Sequence, residues 1–363
     1  MKVAFYLADQ NPQRDRSLGI TGYTDGLLRA LVADESVTIS GLGAKGAYRA
    51  PAGVAMHLLP FSTAGGANRF LADNLHPFIR RIEADIWHYP KGHLPLAGRY
   101  RQPVIGTVHD LILQHYADRY PTDRSAAAYR YWLTVLKRSI PRFDLILTIS
   151  KFSEAAIREF CDRHRLHCPE IRVTYLGFHV ETKSDAPIAK QDVVVHLASR
   201  ELHKRTATLL EFWEQLSQVE QELPLLKLIG NLRAADQARV ARVRGIEICG
   251  RLNRKDLESE IAQARALIFP SEIEGFGLPA VEAYALGTPV VYVLGTAVEE
   301  VLGEGTRGGF LLDDFETFRS ALQAALELPH PFIEQHAVQL ASRFSWARCA
   351  AATLAAYRQA TGT

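Results

Sequence analysis

Cysteine is scarce in these 363 residues: Cys161, Cys168, Cys249 and Cys349 are the only four. That is too few for a disulfide scaffold and fits a reducing compartment. No stretch approaches the roughly 20 apolar residues that a membrane span needs, and the opening MKVAFYLADQ carries no signal-type cleavage site. The expectation is a cytoplasmic protein, at most peripheral on the inner face of a membrane. A dominant charge is also missing. The formal net charge of +2 gives no reason to expect a nucleic-acid partner. One cluster resembles a metal site, CDRHRLHC at 161–168, but it lacks the paired C-x2-C or H-x3-H spacing of structural zinc. No metal is expected there, and a solvated helix end before Pro169 is the plainer reading. There is no short-period repeat and no low-complexity tract.

What is present is enough for two domains, with 47% apolar and 23% charged residues over a length that exceeds one compact core. The charge is uneven. Residues 1–182 carry +6 and residues 183–363 carry −4, so only the first half is suited to an anionic surface. Short apolar runs alternate with helical periodicity throughout, which predicts parallel strands in doubly wound sheets. In the first half strands are expected at 3–8, 37–43, 84–89, 103–109, 144–150 and 171–177, with helices over 23–33 and near 68–83, 124–139 and 153–164. The second series has strands at 192–198, 224–230, 246–250, 264–270 and 289–295. Helices near 205–222, 234–243, 255–264 and 279–287 lie between them. The polar stretch ETKSDAPIAKQD separates the two series. The expected organisation is a Rossmann-like acceptor-side domain over 1–182, a linker over 183–192 and a second Rossmann-like domain over 193–344. A terminal helix over 345–363 could pack back on the first domain.

GLGAKG at 41–46 satisfies G-x-G-x-x-G after a strand, but Pro51 and Gly53 follow where a phosphate-facing helix would have to run. A dinucleotide site is therefore not expected. The segment SEIEGFGLPAVEAY at 271–284 is more informative. Pro279 suits the first turn of a helix, which places Glu282 about one turn in and leaves Glu274 in the preceding loop. Gly275 and Gly277 allow that loop to turn sharply and bring backbone amides close to a ligand. A helix N-terminus with such amides suits a phosphate or diphosphate, with Glu282 accepting from ribose hydroxyls and Glu274 reaching the group beyond the phosphates. The alternative is that both acids merely favour the helix N-terminus, worth about 0.3–1 kcal/mol each.

PSEIEGFGLPAVEAYALGTPVV at 270–291 resembles the E-x7-E segment of the retaining glycosyltransferases of family 4. GITGYTDGLLRAL, VIGTVHDL, LTISKFSEAAI and VTYLGF extend the resemblance over nearly the whole chain. It implies the GT-B fold, two Rossmann-like domains facing across a cleft. It also implies that Glu274 lies by the donor sugar, that Glu282 holds the ribose, and that the amides of Phe276, Gly277 and Leu278 lie near the diphosphate. His109 would be the active-site histidine that contacts the donor sugar. Arg200 and Lys204, in ASRELHKRT, would grip the diphosphate, although they are four positions apart where the family spaces them by five or six. Gly19 and Gly22 would let the first loop approach the diphosphate or acceptor, and Gly230 and Asn231 would line the nucleotide pocket. Many such enzymes hold a metal through D-x-D, which is absent here, so positive side chains and helix amides are expected to take the leaving charge. At VLGTAVEEVLG the family has a proline where this chain has Glu299, a departure from the family's pattern.

The implied activity is transfer of a hexose, mannose-like by first preference, from a GDP- or UDP-sugar to a glycan or lipid-linked acceptor. The setting would be surface polysaccharide or lipopolysaccharide assembly, with no cofactor beyond this co-substrate. By family implication the configuration is retained through front-face attack. A non-catalytic nucleotide-sugar binding module, or phosphorylase or epimerase chemistry on the same fold, is the alternative. RSAAAYRYWLTVLKR at 124–138 either lies on an anionic membrane or packs its apolar face inward.

Overall fold

The computed structural model describes all residues except 11–17, 47, 64–65, 80, 97, 99, 123–125, 182–187 and 304. The chain forms two compact units, Met1–Gly177 joined by Phe344–Thr363, and Phe178–Arg343.

The first unit contains β1 (Lys2–Tyr6), α1 (Leu18–Val32), β2 (Thr38–Gly43), β3 (Ala55–Leu58), α2 (Gly66–Ile79) and β4 (Ile86–Tyr89). It continues with β5 (Val104–Thr107), α3 (Ile112–Arg119), α4 (Ala126–Ser139), β6 (Leu145–Thr148), α5 (Lys151–His164) and β7 (Glu170–Val173). The strands form one parallel sheet in the order β3-β2-β1-β4-β5-β6-β7. Strands β4, β5 and β6 (IWHY, VIGT and LILT) are buried at every position, as expected of strands covered on both faces by crossover helices. The glycines of GLGAKG have a packing role. A Cβ on Gly41 would lie 2.7 Å from Met56 Sδ, and one on Gly43 2.6 Å from Met56 Cε, so they admit the methionine of the neighbouring strand.

The second unit contains β8 (Val193–Ala198), α6 (Thr206–Val219), β9 (Leu225–Gly230), α7 (Ala234–Val240), β10 (Ile246–Gly250), α8 (Arg254–Gln263) and β11 (Ala266–Phe269). It continues with α9 (Leu278–Ala285), β12 (Val290–Val293), α10 (Ala297–Leu302), β13 (Gly309–Phe310), α11 (Phe315–Leu326) and α12 (His330–Arg343). Its parallel sheet runs β10-β9-β8-β11-β12-β13. Both sheets therefore reverse direction beside their first strand, at β1/β4 and at β8/β11, and ligands of open α/β sheets bind at the carboxyl end of such a reversal. The expected pair of doubly wound Rossmann-like sheets is what the chain forms.

The final helix, α13 (Trp346–Thr361), belongs to the first unit. Ser345 caps it by accepting from the Arg348 amide. Its Trp346 indole fills the space left by two glycines: a Cβ on Gly26 would lie 2.3 Å from the ring, and one on Gly177 2.2 Å from the Trp346 backbone nitrogen. Of the stretch expected to link the domains, residues 183–187 lie outside the described residues, and the rest is bound into the second unit. Lys190 Nζ donates to Ala262 O at 2.9 Å and to Thr288 Oγ1 at 2.8 Å.

Helix α4 buries Leu133, Val135 and Leu136 and exposes Arg130 and Tyr131. Its apolar face points inward, while residues 124 and 125 lie outside the described residues. Among the described residues no helix is long and apolar enough to cross a membrane.

Candidate active site

In the second unit the loops after the adjacent strands β8 and β11 are tied together by a main-chain bond from Glu272 N to His203 O, 2.9 Å. A single 3-10 turn over Leu202–Lys204 follows β8, and Arg205 then takes a left-handed backbone (φ 52). Arg205 is held by Glu272 at 3.5 Å and by a close ion pair with Asp313. This anchoring directs the preceding Lys204 across the switch point, where its Nζ meets Glu274 Oε1 at 2.5 Å. The two side chains are 25% and 12% exposed, so the pair is shielded but reachable. The same ammonium stands 5.2 Å from the centre of the Phe269 ring, an arrangement that favours the cation.

Glu274 leads into α9. Gly277 caps that helix with a left-handed backbone (φ 89), offers no capping side chain, and sits where a Cβ would lie 2.7 Å from Val298 Cγ2. The Phe276 side chain is buried, so the turn presents backbone on its outer side. Pro279 occupies the first turn, and the helix begins at Leu278, one residue earlier than its proline suggested. Glu282 projects from the next turn and is gripped by Arg254: Nη2 donates to Oε1 at 2.6 Å and Nη1 to Oε2 at 3.2 Å. Burial pushes the Glu282 carboxyl up, and Arg254 opposes the shift.

Gly230 ends β9 with φ 130, and a Cβ there would lie 2.2 Å from Ala198 O, so only glycine lets β9 approach β8 this closely. Asn231 follows, exposed. Arg200 is exposed as well, and its Nε donates to Leu232 O at 3.3 Å. The structure therefore brings Lys204 and Glu274 together and leaves Arg200 on the β9 loop. Glu299 accepts from the Gly295 amide at 2.6 Å.

In the first unit His109 lies two residues beyond β5. Its Nε2 bonds Pro90 O at 2.8 Å and must carry the proton, because a carbonyl only accepts. Burial lowers its pKa to about 4, against the effect of that bond. Ser153 Oγ donates to His109 O at 2.8 Å, so the start of α5, capped by Ser150 through the Ser153 amide, fixes the histidine's main chain. Tyr23 meets its ring edge-on, with centroids 4.7 Å apart.

Gly19 and Gly22 require a correction. They were expected in a loop that their flexibility would bend toward a ligand, with the helix beginning near residue 23. Both instead lie in the first two turns of α1, where none of the described residues comes within 4 Å of a Cβ at either position. Being helical, neither glycine serves a turn.

Residues 19–181 match the sequence family described as Glycosyltransferase Family 4, and residues 190–328 match that described as Glycosyl transferases group 1. Each unit thus matches a glycosyltransferase family in sequence, and the chain has the GT-B fold. It is 26% identical over 232 residues to the O-antigen chain mannosyltransferase B of Escherichia coli, covering 58% of this chain and 58% of that protein's length. Among solved structures it is similar to sucrose-phosphate synthase from Thermosynechococcus elongatus (TM-score 0.72, 16% identity, 99% of this chain and 98% of that one). It is also similar to Anabaena HepE, solved in complex with UDP and glucose (TM-score 0.64, 16% identity, 98% of this chain and 100% of that one).

Several groups of the candidate site escaped the sequence reading. Arg254, which holds Glu282, lies 28 positions away on another helix. Arg205, the next residue after Lys204 in ASRELHKRT, was given no role there. At the switch point of the first unit, burial pushes the Asp9 carboxyl up to about 6, against the pull of Lys91. The positions of Asp9 and Lys91 just beyond β1 and β4 were the available signal. Of the 161–168 cluster, Cys161 is buried in the core and His164 Nε2 bonds Gln114 at 2.9 Å. Among the described residues no group of three or more His, Cys, Asp or Glu is placed to hold a metal ion.

Proposed function

We propose that this glycosyltransferase moves a mannose-like hexose, with retention of configuration, from a GDP- or UDP-sugar to a glycan or lipid-linked acceptor in surface polysaccharide assembly. The observation that carries the reading is the Lys204–Glu274 pair set at 2.5 Å beside the glycine-capped start of α9. The diphosphate lies against the amides of Phe276, Gly277 and Leu278, with Lys204 and Arg200 taking the charge that grows on it as the glycosidic bond breaks. Glu274 contacts the donor sugar and Glu282 the ribose, while Gly230 and Asn231 border the nucleotide. The sugar passes through an oxocarbenium-like state, and the neutral His109 contacts its hydroxyls. The acceptor hydroxyl attacks from the face the diphosphate leaves, and a phosphate oxygen takes its proton, so no protein base is required.

The mannosyltransferase similarity supports the choice of sugar, and the UDP and glucose in HepE support a nucleoside diphosphate donor. The apolar face of α4 is packed inward, so any contact with an anionic membrane would be electrostatic, through the exposed Arg130, Tyr131 and Arg138. The test is a thermal-shift screen of UDP-, GDP- and ADP-sugars, followed by nucleoside diphosphate release with the donor that stabilises the protein. One donor should support release, and Glu274→Ala should nearly abolish it while the melting transition persists. Stabilisation by a donor without turnover on a broad acceptor panel would favour a binding module, and dependence on inorganic phosphate would favour a phosphorylase.

A further inference from the structure

Arg254 opens α8, a position where the helix dipole favours anions. Asn253 already caps that helix by accepting from the Asp256 amide, so the arginine serves neither end of it. Its guanidinium is instead directed at two carboxylates. Nε donates to Glu258 Oε1 at 2.6 Å, Nη1 and Nη2 take the two oxygens of Glu282, and Nη2 also donates to His179 O at 3.0 Å. The other Glu258 oxygen accepts from the Glu181 amide at 2.9 Å. Glu258 is 2% exposed and Glu282 15%.

We propose that Arg254 is a positioning residue for donor binding, holding the Glu282 carboxylate oriented and ionised so that its remaining lone pairs accept the two ribose hydroxyls. The proposal rests on the reading of Glu282 as the ribose-binding group. Each carboxylate oxygen has two acceptor sites, and among the described residues Arg254 occupies one on each, which leaves one per oxygen for a vicinal diol. The two-pronged grip also fixes the carboxylate plane, which a lysine could not do.

The grip has an electrostatic consequence. Among the described residues the charges acting on Glu282 are Arg254 and Glu258, both on α8, while His179 and Glu181 enter through their main chains. Burial and the Glu258 charge both push the Glu282 carboxyl up, and Arg254 is the cation that pulls it down. Without Arg254, two shielded carboxylates share one site and one of them takes up a proton. A protonated Glu282 loses acceptor capacity toward the ribose.

The experiment measures dissociation constants for UDP and GDP, using whichever binds the wild type, from pH 8 down to about 6. It compares wild type with Arg254→Met, Arg254→Lys and Glu282→Gln, and reads each as a ratio to wild type at the same pH. Arg254→Met should bind about tenfold or more weakly, with the ratio growing as pH falls and shrinking as it rises. Arg254→Lys keeps the charge and loses the grip, so it should bind weakly at a ratio independent of pH. It also answers the question if Arg254→Met does not fold. Ratios near one for both arginine variants, or an Arg254→Met ratio that stays constant with pH, would overturn the proposal. A Glu282→Gln ratio near one would show instead that the underlying reading of Glu282 has failed.

Discussion

Lys204 Nζ and Glu274 Oε1, from two different βα loops, stand 2.5 Å apart at the switch point of the second sheet. Each neutralises the other's charge. Under the proposed reading the ammonium turns from Glu274 to the donor's diphosphate.

Lys204→Met should therefore lower turnover by about 100- to 1000-fold, the usual loss when one preorganised group aimed at developing charge is removed. Lys204→Arg should recover part of it, because the charge is kept and the fit is not. The check is nucleoside diphosphate release under saturating donor, and a Lys204→Met enzyme within about threefold of wild type would contradict the assignment.

Gly277 combines a left-handed backbone with a Val298 methyl that leaves no room for a Cβ. Gly277→Ala should cost about 1–3 kcal/mol from backbone strain alone, read as a lower denaturation midpoint. Adding Val298→Ala should relieve the clash and leave the strain, so the double variant should remain less stable than Val298→Ala by itself.

Stability should fall on mild acidification. Burial lowers the pKa of His76, His109 and His196 to about 4 and that of His88 and His93 to about 3. Between the ordinary histidine value of about 6.5 and these lowered values the unfolded chain binds more protons than the folded one, so stability is lost as pH falls through that window. Asp9, raised to about 6, acts in the opposite sense, as do Asp73 and Glu282, whose carboxyls are also raised, but five large histidine shifts outweigh them. Melting temperature should drop steadily from pH 7 to about 5, and a flat or rising profile would show that the histidines are accessible to protons in the fold.

Tyr357 of α13 places its hydroxyl 2.5 Å from His88 Nδ1, and His88 Nε2 continues to Thr107 Oγ1 at 2.7 Å. Thr107 Oγ1 in turn lies 3.0 Å from the Tyr23 hydroxyl, and the Tyr23 ring abuts His109. Tyr357→Phe leaves a fully buried histidine nitrogen without a partner, at a cost of about 1–3 kcal/mol. Urea unfolding should show a lower midpoint at unchanged slope.

The strands were legible because each is a short apolar run between polar turns, and their expected bounds lie within a few residues of the observed ones. β3 was not, since AMHL is half-exposed at the sheet edge and carries no periodicity. Nor was β13, whose Gly309–Phe310 pair is too short to have a pattern. The turn before α9 was readable from Gly277 and Pro279, which have local conformational meaning. The partners of its acids were not. Lys204 lies 70 positions from Glu274, and only the β8–β11 pairing brings them together. Arg254 lies just outside the helix expected near 255–264, and no local motif marks it. Gly19 and Gly22 misled because glycine in a βα connection usually marks a turn, while here the helix simply begins earlier.

The central claim, that a nucleoside diphosphate is held at the turn between Glu274 and Glu282, is tested most directly by a crystal structure with UDP or GDP bound. The account predicts phosphate oxygens within hydrogen-bonding distance of the amides of residues 276–278 and the Lys204 ammonium, with the ribose hydroxyls on Glu282. Phosphates bound elsewhere on the protein, with that turn and Glu282 untouched, would contradict it.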